Sequence, residues 1–262
     1  MNVWHDSRLM NALANALLGA TLLAALASAA WWLSQRPYFT LRGVAIEAAE
    51  GHPLRHVSAP LLRAAVTRHV RGNFFAVDLD AVRATFETVP WVRRASVRRV
   101  WPDGLVVAIE EHRPLAFWGD GRLVNTFGEL FAANLAEAEE DGDLPQFSGP
   151  EGSALQVARR YAELREAVAP LGVHPDVVAL SPRYAWTMRL DDGTTLLLGR
   201  DQGMPIERRV ARWVGAYPEV MASLKRRAEV IDLRYPNGFA IRSLAQLAEA
   251  DGHESATAQR TH

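Results

Sequence analysis

Two histidines of this chain have the spacing of metal ligands. His52 and His56 are four residues apart, which would place both imidazoles on one face of a helix. Pro53 lies between them, however, and no third ligand is close in the sequence. We therefore interpret the pair as a coincidence within a loop and predict no metal site.

Three consecutive polar residues, Glu110, Glu111 and His112, are of the types that perform acid–base chemistry. They follow an apolar run and precede Pro114, a pattern that favours the polar end of a strand over a catalytic group. The sequence contains neither a G-x-S-x-G motif nor a Gly-rich phosphate loop. It has no cysteine, which excludes disulfides, thiolate catalysis and Cys-based zinc sites. These residues predict no catalytic group, no metal and no cofactor.

Four arginines, Arg93, Arg94, Arg98 and Arg99, form a local basic patch. The favoured interpretation is the solvated face of a strand, and the alternative is a contact with anionic lipid headgroups or with an acidic protein. The net charge of the whole chain is −1, so its overall electrostatics do not favour nucleic acid as a partner.

Residues 110–112 and the four arginines lie within residues 73–114, a segment whose hydrophobic period changes partway along. After Asp78, a good N-cap, apolar residues recur at helical spacing until Pro90 ends the helix. The pattern then alternates as in a strand, turns at residues 102–104 and continues as a second strand over residues 105–109. The segment predicts a small α+β docking module rather than an active site.

Two further elements precede that segment. Residues 39–47 alternate as a strand with a bulge at Gly43, and Ser58 caps a helix that is predicted to reach Val70. The predicted order is β-α-α-β-β over about 75 residues, which implies a two-layer α+β module.

Residues 9–33 contain no charged side chain and end on Trp31, Trp32 and Leu33. A helix of this length spans about 37 Å, more than the roughly 30 Å of a bilayer's hydrocarbon core. The alternative is a signal peptide cleaved at Ala27-Ser28-Ala29, but residues 1–8 lack the basic cluster of such a peptide. We expect an uncleaved anchor, whose orientation the flanking arginines do not decide.

The rest of the chain predicts a β domain with flanking helices. Strands are predicted in pairs or singly at residues 114–133 (two short strands), 175–180, 184–190, 194–198, 230–235 and 239–242. Helices are predicted at residues 153–168 and 205–224, and an acidic solvated loop at residues 136–143. Residues from 251 onward are expected to be disordered.

In this order and behind one membrane segment, these patterns resemble the FtsQ/DivIB family of bacterial cell division proteins. The first module is similar to a POTRA domain. Its matching motifs are Val44, Asn73-Phe74-Phe75, Asp78-Leu79, Pro90-Trp91-Val92, Ala95-Ser96-Val97, Arg98-Arg99-Val100-Trp101-Pro102 and Glu110-Glu111-His112-Arg113-Pro114. The second module matches at Trp118, Leu123-Val124, Gly128-Glu129, Leu197-Leu198-Gly199-Arg200 and Asp232-Leu233-Arg234-Tyr235. Each motif alone is loose, and their order and spacing make the set specific.

The resemblance implies an α+β protein with five parts. They are a cytoplasmic tail at residues 1–8, a single N-terminal transmembrane helix at 9–33, a β-α-α-β-β POTRA domain at 34–113, a mostly antiparallel β domain with flanking helices at 114–245, and a disordered tail at 246–262. The implied location is the cell inner membrane, as a single-pass type II protein whose C-terminal region is periplasmic, at the division septum.

The resemblance also implies a function. Members of the family are non-catalytic divisome scaffolds that bind FtsB and FtsL and help couple assembly of the division complex to septal peptidoglycan synthesis. The implied partners are these two proteins and inner-membrane lipid, with neither nucleic acid nor a small-molecule substrate.

The last predicted strand pair is the expected binding site. Ile231, Leu233 and Tyr235 alternate with Asp232 and Arg234, which predicts one buried and one polar face. The strand that follows is a candidate sheet edge, whose unpaired N–H and C=O groups a partner strand can satisfy. The residues alone leave a terminal hairpin without a binding role as the alternative.

Transferred by position, the resemblance assigns FtsB binding to seven residues: Arg183, Tyr235, Asn237, Gly238, Phe239, Ala240 and Ile241. It gives Arg183 the role of a partner for an acidic side chain. Pro236 cannot donate a backbone hydrogen bond, so the binding edge is expected to begin at Asn237 or later.

Two other functions stay open at this stage. A POTRA-containing secretion or envelope-assembly factor would normally have repeated modules or a following β-barrel, and neither pattern occurs in the sequence. A membrane-anchored cell-wall enzyme would need a nucleophile, a metal set or a carboxylate pair, and no convincing set of this kind is found.

Overall fold

The computed structural model describes residues 7–34, 36, 39–49, 53–57, 60, 62, 73–223, 229–235 and 237–243. The chain divides into two compact units, Met1–Glu111 and His112–His262. The predicted helix that begins at Ser58 and the predicted disordered tail lie almost entirely outside the described residues.

The first helix, α1, is Ser7–Ser34. Its apolar part, Met10–Leu33, is long and apolar enough to cross a membrane, and none of it is buried inside the protein. Two of its hydroxyl groups are satisfied within the helix, since Thr21 donates to the Leu17 carbonyl and Ser28 to the Ala24 carbonyl. These features fit a single-pass membrane protein.

The first unit continues with a three-stranded sheet and one described helix. Its elements are β1 (Gly43–Ala48), α2 (Leu79–Glu87), β2 (Val92–Val100) and β3 (Gly104–Glu111). The strand order is β1-β3-β2, with β1 parallel and β2 antiparallel to β3. β3 is central because its Val-, Leu- and Ile-rich run suits a strand buried on both faces. The predicted bulge at Gly43 is wrong, because β1 begins at that glycine and pairs with β3 without a shift in register.

The boundaries of α2 follow from local chemistry. The Asp78 side chain caps its start by accepting hydrogen bonds from the backbone N–H groups of Asp80 and Ala81. Val82 and Phe86 form its buried face. The helix ends at Glu87, three residues before Pro90, so both predicted boundaries are close to the observed ones.

The second unit contains a nine-stranded sheet with helices. Its elements are β4 (Pro114–Trp118), β5 (Arg122–Asn125), β6 (Leu130–Phe131), α3 (Leu135–Glu139), β7 (Gln146–Ser148), α4 (Ala154–Val168), β8 (Pro175–Leu180), β9 (Trp186–Leu190), β10 (Thr195–Gly199), α5 (Ile206–Ser223), β11 (Glu229–Asp232) and β12 (Ala240–Ser243). The strand order is β12-β11-β10-β9-β8-β7-β4-β5-β6.

The sheet is mostly antiparallel, as predicted, but three neighbouring pairs are parallel. They are β4 with β7, β7 with β8, and β10 with β11. Parallel neighbours need a crossover connection, and α4 and α5 supply the crossovers that lead into β8 and β11. Both helices pack on the main core, where Tyr161, Leu164 and Trp213 are buried.

Four predictions in this unit are wrong. Residues 114–133 form three strands instead of two, and the strand predicted over residues 230–235 ends at Asp232. The acidic segment at residues 136–143 is not entirely a loop, because α3 begins after the Asn134 cap and buries Ala138 completely. The strand predicted from Tyr184 begins at Trp186, because Tyr184 has a φ of 59° and belongs to the preceding turn.

Candidate functional site

The last strand, β12, forms an edge of the nine-stranded sheet within the described part of the chain. It pairs with β11 in antiparallel register, with Asp232 opposite Ala240 and Ile231 opposite Ile241. In such a pair, the residues of an edge strand alternately direct their N–H and C=O groups towards the neighbour and away from it. β12 can therefore pair with an added strand on its outer side.

The loop between β11 and β12 contains four of the predicted binding residues. Tyr235 is half exposed, Asn237 is exposed, and Phe239 packs against the core. Arg212 of α5 reaches this loop from the helix layer and donates to the backbone carbonyls of Tyr235 and Gly238, each at 3.3 Å. The loop is thus bound to α5 through its backbone, which leaves the Tyr235 ring accessible. Pro236 lies outside the described residues.

The structure changes the predicted face pattern at Asp232, which ends β11. Asp232 has no exposed surface although it was expected on the polar face. Its carboxylate accepts hydrogen bonds from the Arg234 side chain, from Nε at 2.8 Å and from Nη2 at 2.6 Å. The hydrogen bond to the Asp232 carboxylate raises the pKa of Arg234 above its ordinary value. A charge-assisted pair of this kind fixes the backbone where the loop begins.

A second arginine of α5 fixes the neighbouring loop, which follows β10. Arg209 is buried and donates to three backbone carbonyls: Leu198 at 2.5 Å, Arg200 at 3.0 Å and Gln202 at 2.8 Å. Gly199 ends β10 with a φ of 76°, and a Cβ there would lie 2.8 Å from Cγ of Arg234. A glycine is therefore required where the two loops meet.

Arg183 lies in the turn between β8 and β9. The turn is closed by a hydrogen bond of 2.8 Å from the Tyr184 N–H to the Ser181 carbonyl, and Arg183 is exposed. The strand register places this turn at the same end of the sheet as the loop before β12. Three strand spacings separate β9 from β12, which corresponds to about 14 Å. The seven predicted residues thus lie at one end of the sheet. Six of them are at the β12 edge, and Arg183 is about three strand spacings away from it.

The remaining polar candidates have structural roles among the described residues. The Glu111 carboxylate accepts hydrogen bonds from the backbone N–H groups of Arg55, His56 and Val57 at 2.6–2.7 Å. Glu110 forms an ion pair of 2.6 Å with Arg93. This agrees with their interpretation as the polar end of a strand.

Of the three histidines considered in the sequence, the structure describes His56 and His112. The ring of His56 stacks on Trp91 at a centroid distance of 4.1 Å, while His52 lies outside the described residues. No group of three His, Cys, Asp or Glu residues that could hold a metal occurs within the described ranges. His112 stacks on Phe131 and its Nδ1 is 2.9 Å from Nδ2 of Asn125.

The basic patch on β2 is largely engaged with the protein itself. Besides the ion pair of Arg93, Arg99 donates to the carbonyls of Phe74 at 2.9 Å and Val77 at 2.8 Å, and Arg98 is 3.6 Å from Glu47. The backbone contacts of Arg99, Arg209 and Arg212 were not predicted. Their acceptors are main-chain carbonyls of distant residues, which leave no side-chain pattern in the sequence.

Comparisons with known proteins agree with the two-unit architecture. The family model of the C-terminal region of cell division protein FtsQ/DivIB matches residues 116–234, and the model of the FtsQ-type POTRA domain matches residues 51–112. The chain is 46% identical to the cell division protein FtsQ of Burkholderia pseudomallei over 242 residues, 92% of this chain and 94% of the relative. It is 44% identical to that of Bordetella pertussis over 252 residues, 91% of this chain and 92% of the relative.

Proposed function

This chain belongs to the FtsQ/DivIB family of bacterial cell division proteins, and we propose that it acts as a divisome scaffold without catalytic activity of its own. In this role it binds FtsB and FtsL and helps couple assembly of the division complex to septal peptidoglycan synthesis. The C-terminal unit lies in the periplasm at the septum, and α1 anchors it in the inner membrane.

The observation that carries the proposal is the position of β12 at the edge of the sheet. An added strand from FtsB would form backbone hydrogen bonds along Ala240 and Ile241, and these hydrogen bonds supply affinity with little dependence on sequence. Specificity would come from the side chains beside the edge, above all the exposed ring of Tyr235 and the adjacent Phe239.

Arg183 is proposed to bind the same partner at a second position. Its exposed guanidinium lies at the same end of the sheet, about three strand spacings from β12. One added strand cannot reach both positions. We therefore assign Arg183 to a second segment of FtsB, where it pairs with a carboxylate and contributes mainly to orientation and association rate.

A calorimetric titration of the purified full-length chain with FtsB tests the site. We expect Tyr235→Ala and Phe239→Asp each to weaken binding by about tenfold or more, because an aromatic anchor at an edge carries much of the affinity. Tyr235→Ala is the cleaner variant, since its side chain is half exposed and contributes little to the core.

Phe127→Ala is the matched control. Phe127 is a half-exposed aromatic residue in the turn before β6, at the opposite edge of the same sheet, and its loss should leave the affinity unchanged. Equal affinity of wild type and Tyr235→Ala would rule out this site. Absence of a fluorescent fusion from the septum would rule out the divisome role itself.

A further inference from the structure

A cluster of aromatic rings lies at the end of the first unit that receives the chain from α1. Phe39 contacts Phe75 at a centroid distance of 5.1 Å and Trp101 at 5.6 Å, and Phe74 contacts Trp101 at 5.9 Å. Although the rings support one another, much of their surface faces solvent. Phe75 is 51% exposed and Trp101 is 66% exposed. Exposed aromatic clusters of this kind mark a contact surface.

The strand register places this cluster at the membrane end of the unit. β1 leads away from α1, and its first residue, Gly43, lies opposite Gly104 at the start of β3. Val100 ends β2 at the same level, so the turn that carries Trp101 faces back towards α1. A bridge between Thr40 and Asn73 places the Phe75 loop there as well.

The connection from α1 to the cluster is short and hydrogen-bonded. The Arg36 N–H donates to the Leu33 carbonyl and the Phe39 N–H donates to the Arg36 carbonyl, both at 3.1 Å. Two consecutive turns of this type, each spanning at most about 7 Å, keep Phe39 within about 14 Å of Leu33. The Arg36 guanidinium also lies 3.6 Å above the ring of Trp32, at the end of the apolar helix.

We propose that Phe39, Phe75 and Trp101 form a second membrane contact, in which Phe75 and Trp101 insert into the interfacial layer of the bilayer beside α1. Amphipathic aromatic rings prefer this layer, and Trp31 and Trp32 already mark it on the helix. Arg42 adds a cation at the same end of the unit; its side chain is 68% exposed, lies 3.9 Å from the Asp103 carboxylate and is suited to a lipid phosphate as well. The first unit is then held to the membrane surface by side chains in addition to its covalent tether.

The proposal rests on α1 crossing the bilayer but on no protein partner. Because the chain has no cysteine, one introduced thiol gives a single label position. We would attach a nitroxide at Trp101→Cys or Phe75→Cys in the full-length chain, reconstituted in phosphatidylcholine vesicles that hold single copies. Collision rates with oxygen and with a water-soluble nickel complex then report whether each label lies in lipid or in water.

Arg94→Cys is the matched control, because Arg94 is exposed on the same strand as Val100 but near its far end. We expect oxygen-to-nickel ratios several-fold higher at positions 75 and 101 than at position 94. A label at Ala20→Cys, in the middle of α1, reports the anchor separately. Equal ratios at 75, 101 and 94 with a lipid-buried label at 20 would overturn the proposal and leave the anchor intact. A water-exposed label at 20 would remove its premise.

If the aromatic cluster instead binds another protein, the labels are expected to give a different result from lipid insertion. In purified chains reconstituted singly, such a surface would leave the labels at 75 and 101 in water, which contradicts lipid insertion. Two label positions guard against a local effect of one substitution, since both side chains are largely exposed and neither is a buried core residue.

Discussion

In each unit an arginine holds the loop that carries a proposed contact surface, but the two arginines do so with different geometry. Arg99 uses two nitrogens for two carbonyls of the Phe75 loop, at 2.9 and 2.8 Å. Arg212 uses one nitrogen for two carbonyls of the Tyr235 loop, both at 3.3 Å. Short separate hydrogen bonds hold a backbone more firmly than one long shared contact.

The difference between the two sets of hydrogen bonds fits the two proposed partners, a lipid bilayer for the first unit and a protein strand for the second. A bilayer is fluid and adapts to a rigid group of rings, so the Phe75 loop can be fixed in advance without loss. A strand that is added to β12 must align its backbone with the edge, and a loop that adjusts beside Tyr235 helps that alignment. The comparison thus predicts a firm surface in the first unit and an adaptable one in the second.

The largest loss of stability is expected for the loss of Arg209, the buried arginine of the second unit, to which the loss of Arg212 can be compared. Arg209→Ala would leave three carbonyls without their charged donor, and we expect the free energy of unfolding to fall by about 3 kcal/mol. Urea unfolding followed by circular dichroism measures this change. Arg159→Ala, at an exposed position of α4, is the control and should stay within about 0.5 kcal/mol of wild type.

An intermediate effect separates the two loop arginines directly. We expect Arg99→Ala to lower the free energy of unfolding by about 1–2 kcal/mol and Arg212→Ala by less than about 1 kcal/mol, because charged hydrogen bonds weaken with length and sharing. Urea titrations of both variants measure the difference. Equal losses would contradict the comparison.

The smallest change in stability is expected for Arg122, an exposed arginine whose ion pair shows how little such a contact contributes at the surface. The hydrogen bond from Arg122 lowers the pKa of Asp120 below its ordinary value, and both side chains lie at the surface. Arg122→Ala should raise that pKa towards the ordinary value in an NMR titration of the carboxyl group. A carboxyl group whose pKa is lowered in the folded state contributes stability at pH values above its unfolded pKa. This contribution is lost as the pH falls through the folded pKa. Because solvent screens this pair, the urea midpoint at neutral pH should not change.

Local signals in the sequence predicted much of the fold. Asp78 caps α2, residues 102–104 form the turn between β2 and β3, and Gly193 lies in the turn between β9 and β10, because each feature depends on a few adjacent residues. Family resemblance supplied the overall architecture. The acidic segment after Asn134 was misjudged because its charges concealed the one alanine that the helix buries.

Long-range pairings could not be predicted from local pattern. The placement of β7 between β4 and β8 depends on parallel partners far apart in the chain, and a three-residue strand gives almost no periodicity. The buried state of Asp232 was missed for a related reason. An alternating strand predicts a polar face, whereas the Asp232–Arg234 pair allows a carboxylate to be buried there.

The crossover through α5 has a consequence for the edge at β12. β12 is the last described strand, it pairs with β11, and β11 joins β10 through only three parallel residue pairs after α5 has crossed over. The two strands therefore take their place in the sheet only through the crossover that α5 supplies. A truncated or incompletely folded C-terminal unit offers a partner no edge at β12. If the proposed partner binds at β12, the order of the strands makes its recruitment depend on a folded C-terminal unit.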